Sequence, residues 1–155
     1  MFKSLSILTV SVIFLLVACA LAKPDGPVET FEQKISSLKG QVIYVDFWAS
    51  WCGPCRQSFP WMNNIQQQYQ DQGFTVLSVN LDVERKFADE FLSDFPANFE
   101  VIYDPEGILA RKMKVSGMPN SFIVNREGKI VSRHVGFNQQ KQHAFEQEIT
   151  ALISQ

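Results

Sequence analysis

Val42-Ile43-Tyr44-Val45-Asp46-Phe47-Trp48-Ala49-Ser50-Trp51-Cys52-Gly53-Pro54-Cys55 is the stretch on which the reading of this chain turns. Its first seven residues are a near-continuous apolar run rich in β-branched and aromatic side chains. That is the pattern of a central strand buried on both faces. The run ends in a short loop and two cysteines. A helix is expected from about Pro54 to Asp71, with Phe59, Met62, Ile65 and Tyr69 at helical spacing and Pro60 kinking it. Cys52 then sits where the helix starts. The free amides and positive dipole end there favour an anion, and the thiolate is the form of cysteine that attacks a disulfide. Cys55 lies one turn on and within reach, so it can resolve a mixed disulfide formed by Cys52. Pro54 fits the first turn without losing a needed donor.

Outward from this segment the elements alternate. Phe74–Asn80 reads as a second strand, and the helix between the two strands makes a parallel βαβ unit. Upstream, Phe31, Ile35 and Leu38 mark a short amphipathic helix over Glu29–Leu38, stopped by Gly40. Downstream, Glu84–Phe95 is expected to be helical, with Phe87, Phe91, Leu92 and Phe95 on one side. A short strand follows at Phe99–Tyr103, then a turn at Asp104–Gly107 and a short helix to Met113. Ser121–Val124 and Lys129–Val135 form an antiparallel pair across the turn Asn125–Gly128. A last helix, Asn138–Leu152, turns Phe145, Ile149 and Leu152 inward. The order implies an α/β domain: a central mixed sheet with helices on both faces.

The 155 residues fit one domain, and 46% hydrophobic content with 13 phenylalanines is ample for its core. The net charge of −2 is spread without a basic stripe, which gives no sign of nucleic-acid binding. Residues 1–22 read as an export signal: Lys3, then an uncharged apolar run from Leu5 to Ala22. Two cleavage readings stand side by side. One cuts after Ala20-Leu21-Ala22. The other treats Leu16-Val17-Ala18-Cys19 as a lipobox, with cleavage after Ala18 and lipidation of Cys19. Residues 23–28 are then a linker and 29–155 the folded domain. A single transmembrane anchor is the structural alternative.

In the mature domain Cys52 and Cys55 stand alone. A pair this close restrains the unfolded chain little, so its role is chemical. Zinc would need about four ligands; His134 and His143 lie outside ligand spacing and read as surface residues. No metal and no cofactor are expected. The chain has no G-x-G-x-x-G fingerprint for a nicotinamide.

Val45-Asp46-Phe47-Trp48-Ala49-Ser50-Trp51-Cys52-Gly53-Pro54-Cys55-Arg56 resembles the active-site segment of the thioredoxin superfamily. Pro60 resembles its helix proline, and Gly117-Met118-Pro119 its cis-proline loop. The expected helix Glu84–Phe95, the stretch Tyr103–Gly107 and Val115–Val124 resemble the TlpA/ResA-type exported thiol-disulfide oxidoreductases. That subgroup often has Asn where this chain has Asp46. The resemblance implies a thioredoxin-like fold and a protein-disulfide reductase in the periplasm or on the outer face of a bacterial membrane. Its partners would be disulfide-containing exported proteins, with a membrane thiol transporter as electron donor. It implies Cys52 as nucleophile, Cys55 as resolving cysteine and Asp46 as proton acceptor and donor for Cys55. Trp51, Met118 and Pro119 would contact substrate. A disulfide oxidase or isomerase, and a non-catalytic client-binding module, are the alternatives. A thiol peroxidase would want a Thr near its reactive Cys, and none lies in Trp48–Pro60.

Overall fold

The computed structural model describes residues 25–155. The expected signal, the lipobox, Cys19 and the first residues of the linker lie outside them.

Helix α1 spans Pro27–Ser37, with Pro27 at its first turn and Gly26 as N-cap. Its start includes the last two positions of the expected linker. Strand β1 is Val42–Trp48 and is buried along its whole length. Helix α2 is Gly53–Tyr69 and carries Pro60 within it. A 3-10 turn, Gln70–Gln72, closes on Gly73, whose φ of 78° only glycine adopts readily. Strand β2 is Phe74–Asn80, helix α3 Arg85–Asp94, strand β3 Glu100–Tyr103 and helix α4 Ile108–Lys112. Strands β4, Asn120–Val124, and β5, Ile130–Val135, precede helix α5, Gln139–Ile153.

The sheet order is β3-β2-β1-β4-β5. β1 pairs in parallel with β2 and antiparallel with β4, so the sheet is mixed and β1 is central. Alternation along β1 divides the core. Val42, Tyr44 and Trp48 face a cluster that includes Phe59, Met62 and Ile65 of α2, Phe91 of α3 and Phe145 and Ile149 of α5. Ile43, Val45 and Phe47 face the other cluster, with Phe31 of α1 and Leu109 of α4. Helices thus cover both faces, as the sequence pattern implied. Aromatic rings fill the first cluster: Trp48, Phe59 and Phe91 lie with centroids 4.8 Å apart in all three pairings.

Asp104 is fully buried, and its carboxylate accepts from the amides of Ile108 and Ala110 at 2.8 and 2.9 Å. It anchors the start of α4, which explains an acid inside the turn read at Asp104–Gly107.

Two expectations are corrected. Phe87 does not join Phe91 in the core; it is 41% exposed. In α3 the inward positions are Ala88 and Phe91, and Phe87 falls outside that narrow stripe. His134 is half-buried rather than a free surface residue. Its ring stacks on Phe145 at 4.2 Å and its Nε2 lies 3.2 Å from Glu148. His143 is exposed.

Candidate functional site

The C-terminal end of β1 delivers the chain into a tight turn, in which the Cys52 amide donates to the Ala49 carbonyl at 3.0 Å. Cys52 is the N-cap of α2, with Pro54 in the first turn. Cys55 follows one turn later, its Cα 5.3 Å from that of Cys52, and the two sulfurs are bonded to each other. Cys55 is fully buried and Cys52 is 4% exposed, so the outer face of the pair is Cys52. Ser58 closes the first turn below, its hydroxyl donating to the Cys55 carbonyl at 3.0 Å.

Asp46 lies on β1 between Tyr44 and Trp48, on the sheet face that carries α2 and both cysteines. Across the ladder it pairs with Ser121 on one side and Ser78 on the other. It is 1% exposed, and among the described residues neither carboxylate oxygen has a hydrogen-bond partner. Desolvation raises its pKa well above the ordinary carboxyl value. Tyr44 is raised as well, by burial first and the Asp46 charge second, with the Ser121 hydroxyl offsetting part of the effect. Trp61 packs edge-on against Tyr44 at 5.2 Å, and its indole N–H also lacks a partner among the described residues. An acid is therefore stored under α2 in a place where its charged form is disfavoured.

The other expected residues fall around this pair. Trp48 packs; its Nε1 donates to Ser78 Oγ at 3.2 Å. Trp51 is 71% exposed and lines a groove with Arg56 and α3. The Met118–Pro119 bond is cis. Met118 packs against the cluster that contains both cysteines. The Pro119 carbonyl accepts from the Gly136 amide at 2.8 Å. Arg56 is exposed and donates to the Ser50 carbonyl at 3.4 Å. Among the described residues no group of three or more His, Cys, Asp or Glu is placed to hold a metal. No described helix is long and apolar enough to cross a membrane.

The sequence reading missed a second polar device. Asp82, 5% exposed, accepts from the Ser50 amide at 2.9 Å, the Ser50 hydroxyl at 2.8 Å and the Asn80 side-chain amide at 2.8 Å. Asn80 in turn accepts from the Asp82 amide at 3.1 Å. The end of β2 thereby grips the loop that presents Cys52. One signal was available: two polar residues at the carboxyl end of a buried parallel strand, where open α/β sheets place their sites.

Comparison with known proteins agrees with this geometry. The family model described as Redoxin matches residues 22–149. Thiol-disulfide oxidoreductase ResA of Bacillus subtilis (strain 168) is 33% identical over 98 residues, which cover 63% of this chain and 55% of that protein. The chain spans roughly half to two thirds of the length of the curated relatives it matches. Among solved structures, a Chlorobium tepidum protein described as a candidate thiol:disulfide interchange protein DsbE is 50% identical, with a TM-score of 0.75. The match covers 77% of this chain and 84% of that one. The exposed lipoprotein thioredoxin of Streptococcus pneumoniae strain TIGR4 is 31% identical, with a TM-score of 0.66 over 76% of this chain and 90% of that one. With the family model spanning most of its length and the same fold in these relatives, the chain belongs to the Redoxin family of the thioredoxin superfamily.

Proposed function

We propose that this protein is an extracytoplasmic thiol–disulfide oxidoreductase that reduces disulfides of exported proteins. The observation that carries the reading is the Cys52–Cys55 pair: one sulfur at the start of α2, the other buried one turn behind it, with the buried Asp46 on the same face of the sheet. The names borne by ResA and the Chlorobium tepidum relative support it.

In the reduced protein the Cys52 thiolate attacks a client disulfide. The client S–S bond breaks, one client sulfur leaves and takes up a proton, and the other stays bonded to Cys52. Cys55 gives its proton to Asp46 and attacks the Cys52 sulfur. The second client thiolate leaves and takes that proton back. Two electrons have moved to the client, and the protein holds the Cys52–Cys55 disulfide. An acid whose pKa is raised by burial suits this exchange. Trp51, Met118 and Pro119 flank the sulfur pair as the surface against which an extended client segment lies. A protein donor, a membrane thiol transporter, returns the two electrons.

Residues 1–22 serve as the export signal, 23–28 as a linker whose last two residues open α1, and 29–155 as the rest of the domain, in the periplasm or on the outer face of a bacterial membrane. Lipidation at Cys19 would tether it there, and the lipoprotein relative from Streptococcus pneumoniae supports that option.

The test is trapping in cells. Cys55→Ala should stall the reaction with Cys52 joined to its client as a mixed disulfide, which mass spectrometry then identifies. Recovery of no linked protein, or equal function after Cys52→Ser, would leave a client-binding module instead. The reduction potential fixes the direction: a value near about −270 mV supports a reductase, one near roughly −120 mV an oxidase.

A further inference from the structure

Beside the residues that precede Cys52 lies an open groove of about 560 Å³, lined from Ser50 and Trp51 across to α3. Trp51, Phe87 and Phe91 form its apolar surfaces, and Arg56, Glu90 and Asp94 its charged ones. Trp51 and Phe87 are 71% and 41% exposed, an unusual outlay of large aromatic surface next to a reactive site.

The charges around the groove are unbalanced. Arg85 is paired with Asp89 at 2.8 Å and lies over the Tyr103 ring. Lys86 is paired with Glu84 at 2.7 Å and lies over the Phe87 ring at 4.8 Å, on the groove's edge. Arg56 is turned to the Ser50 carbonyl. Among the described residues, neither Glu90 nor Asp94 has an ion-pair partner. They stand four apart on one helix, a like-charge spacing that destabilises it. Asp94 is also the last residue of α3, whose final turn holds no basic residue. The negative end of a helix dipole disfavours an acid there. Lys86 stands four residues before Glu90 but is turned to Glu84, and Arg56 to Ser50, so both carboxylates are left open to a cation brought from outside.

We propose that this groove selects clients, taking an aromatic or bulky aliphatic side chain with an adjacent Lys or Arg a few residues from the client's reacting cysteine. The inference rests on the disulfide-exchange reading above and names its substrate class. The apolar side chain fills the space between Trp51 and Phe87, and the neighbouring cation meets Glu90 and Asp94. The linkage to Cys52 sets the reach: Trp51 is its chain neighbour, and each extended residue of the client spans only about 3.3–3.6 Å.

The test uses three symmetrical disulfide-linked peptide dimers that share one cysteine and differ in the residues beside it: Phe with Lys, Phe with Glu, or Ser alone. Reduction breaks the peptide S–S bond, passes through one peptide bonded to Cys52 and ends with two peptide thiols and the Cys52–Cys55 disulfide. Each rate is expressed relative to that of 2-hydroxyethyl disulfide on the same protein. The Phe-Lys dimer should react about tenfold faster than the Phe-Glu dimer at low salt, with the ratio shrinking as salt rises. The double variant Glu90→Lys with Asp94→Lys should invert the preference. Equal ratios for all three dimers, or a preference that the double variant keeps, would overturn the groove assignment alone. Failure of the reduced protein to act on 2-hydroxyethyl disulfide would overturn the exchange reading, and this inference with it. Self-association in sedimentation that the double variant abolishes would give the groove to a second copy and also overturn the proposal.

Discussion

At the scale of single residues, Asp46 is the most informative position in the molecule. Its carboxyl is buried, lacks hydrogen-bond partners among the described residues and has a raised pKa. Between the unfolded and the folded pKa the folded protein therefore keeps a proton there that the unfolded chain gives up, and above the folded pKa the group is a carboxylate able to accept one. The stability linked to this group is fully present below the unfolded carboxyl value, about pH 4, and is lost as pH rises through the folded pKa. Asp46→Asn cannot ionise and escapes this loss. The variant should be more stable than the parent at pH 8 by roughly 1–3 kcal/mol, with the gap closing toward pH 4. Urea unfolding at both pH values checks it. The same variant should resolve mixed disulfides more slowly, because in the proposed exchange Asp46 takes the proton of Cys55. Much of this was legible beforehand: apolar flanks on both sides of Asp46 announced its burial. The lack of any partner was not, because hydrogen bonding across a ladder depends on Ser78 and Ser121, whose register no local pattern fixes.

At the scale of elements, the decisive joint is between β1 and α2. The strand is held by the sheet and the helix by aromatic packing, but the loop between them is held from β2. Asp82 makes three hydrogen bonds in a nearly buried setting, two of them to Ser50. Asp82→Ala should cost about 2–4 kcal/mol, since bonds to a buried charged acceptor are worth more than neutral ones. It should also loosen the presentation of Cys52. Thermal unfolding and the rate of reduction of a small disulfide, measured on the same protein, report both effects. The strands and most helix bounds could be read from periodicity, with ends within a residue or two. The bounds of α3 were among them, but its inward face was not: Phe87 satisfies a helical spacing with Phe91, yet Ala88 takes the inward place. A small residue in a crowded aromatic cluster carries little weight in a hydrophobic pattern, although close packing requires it there.

At the scale of the whole molecule, every feature of the site meets at one end of the sheet. β1 and β2 bring Asp46 and Asp82, α2 brings the cysteines, and the turn before β4 brings Met118 and Pro119. The sequence exposed the cysteine pair, because its meaning lies within a few residues. The groove between Trp51 and α3 joins residues far apart in the chain, so only the folded molecule shows it. The central claim is that α2 presents Cys52 as the attacking thiolate while Cys55 waits behind it. The most direct measurement is the alkylation rate of the reduced protein at pH 7, with modified cysteines assigned by mass spectrometry. Cys52 should be modified about tenfold faster than an ordinary free cysteine, and well ahead of Cys55. Modification of Cys52 at the ordinary rate, or of Cys55 first, would contradict it.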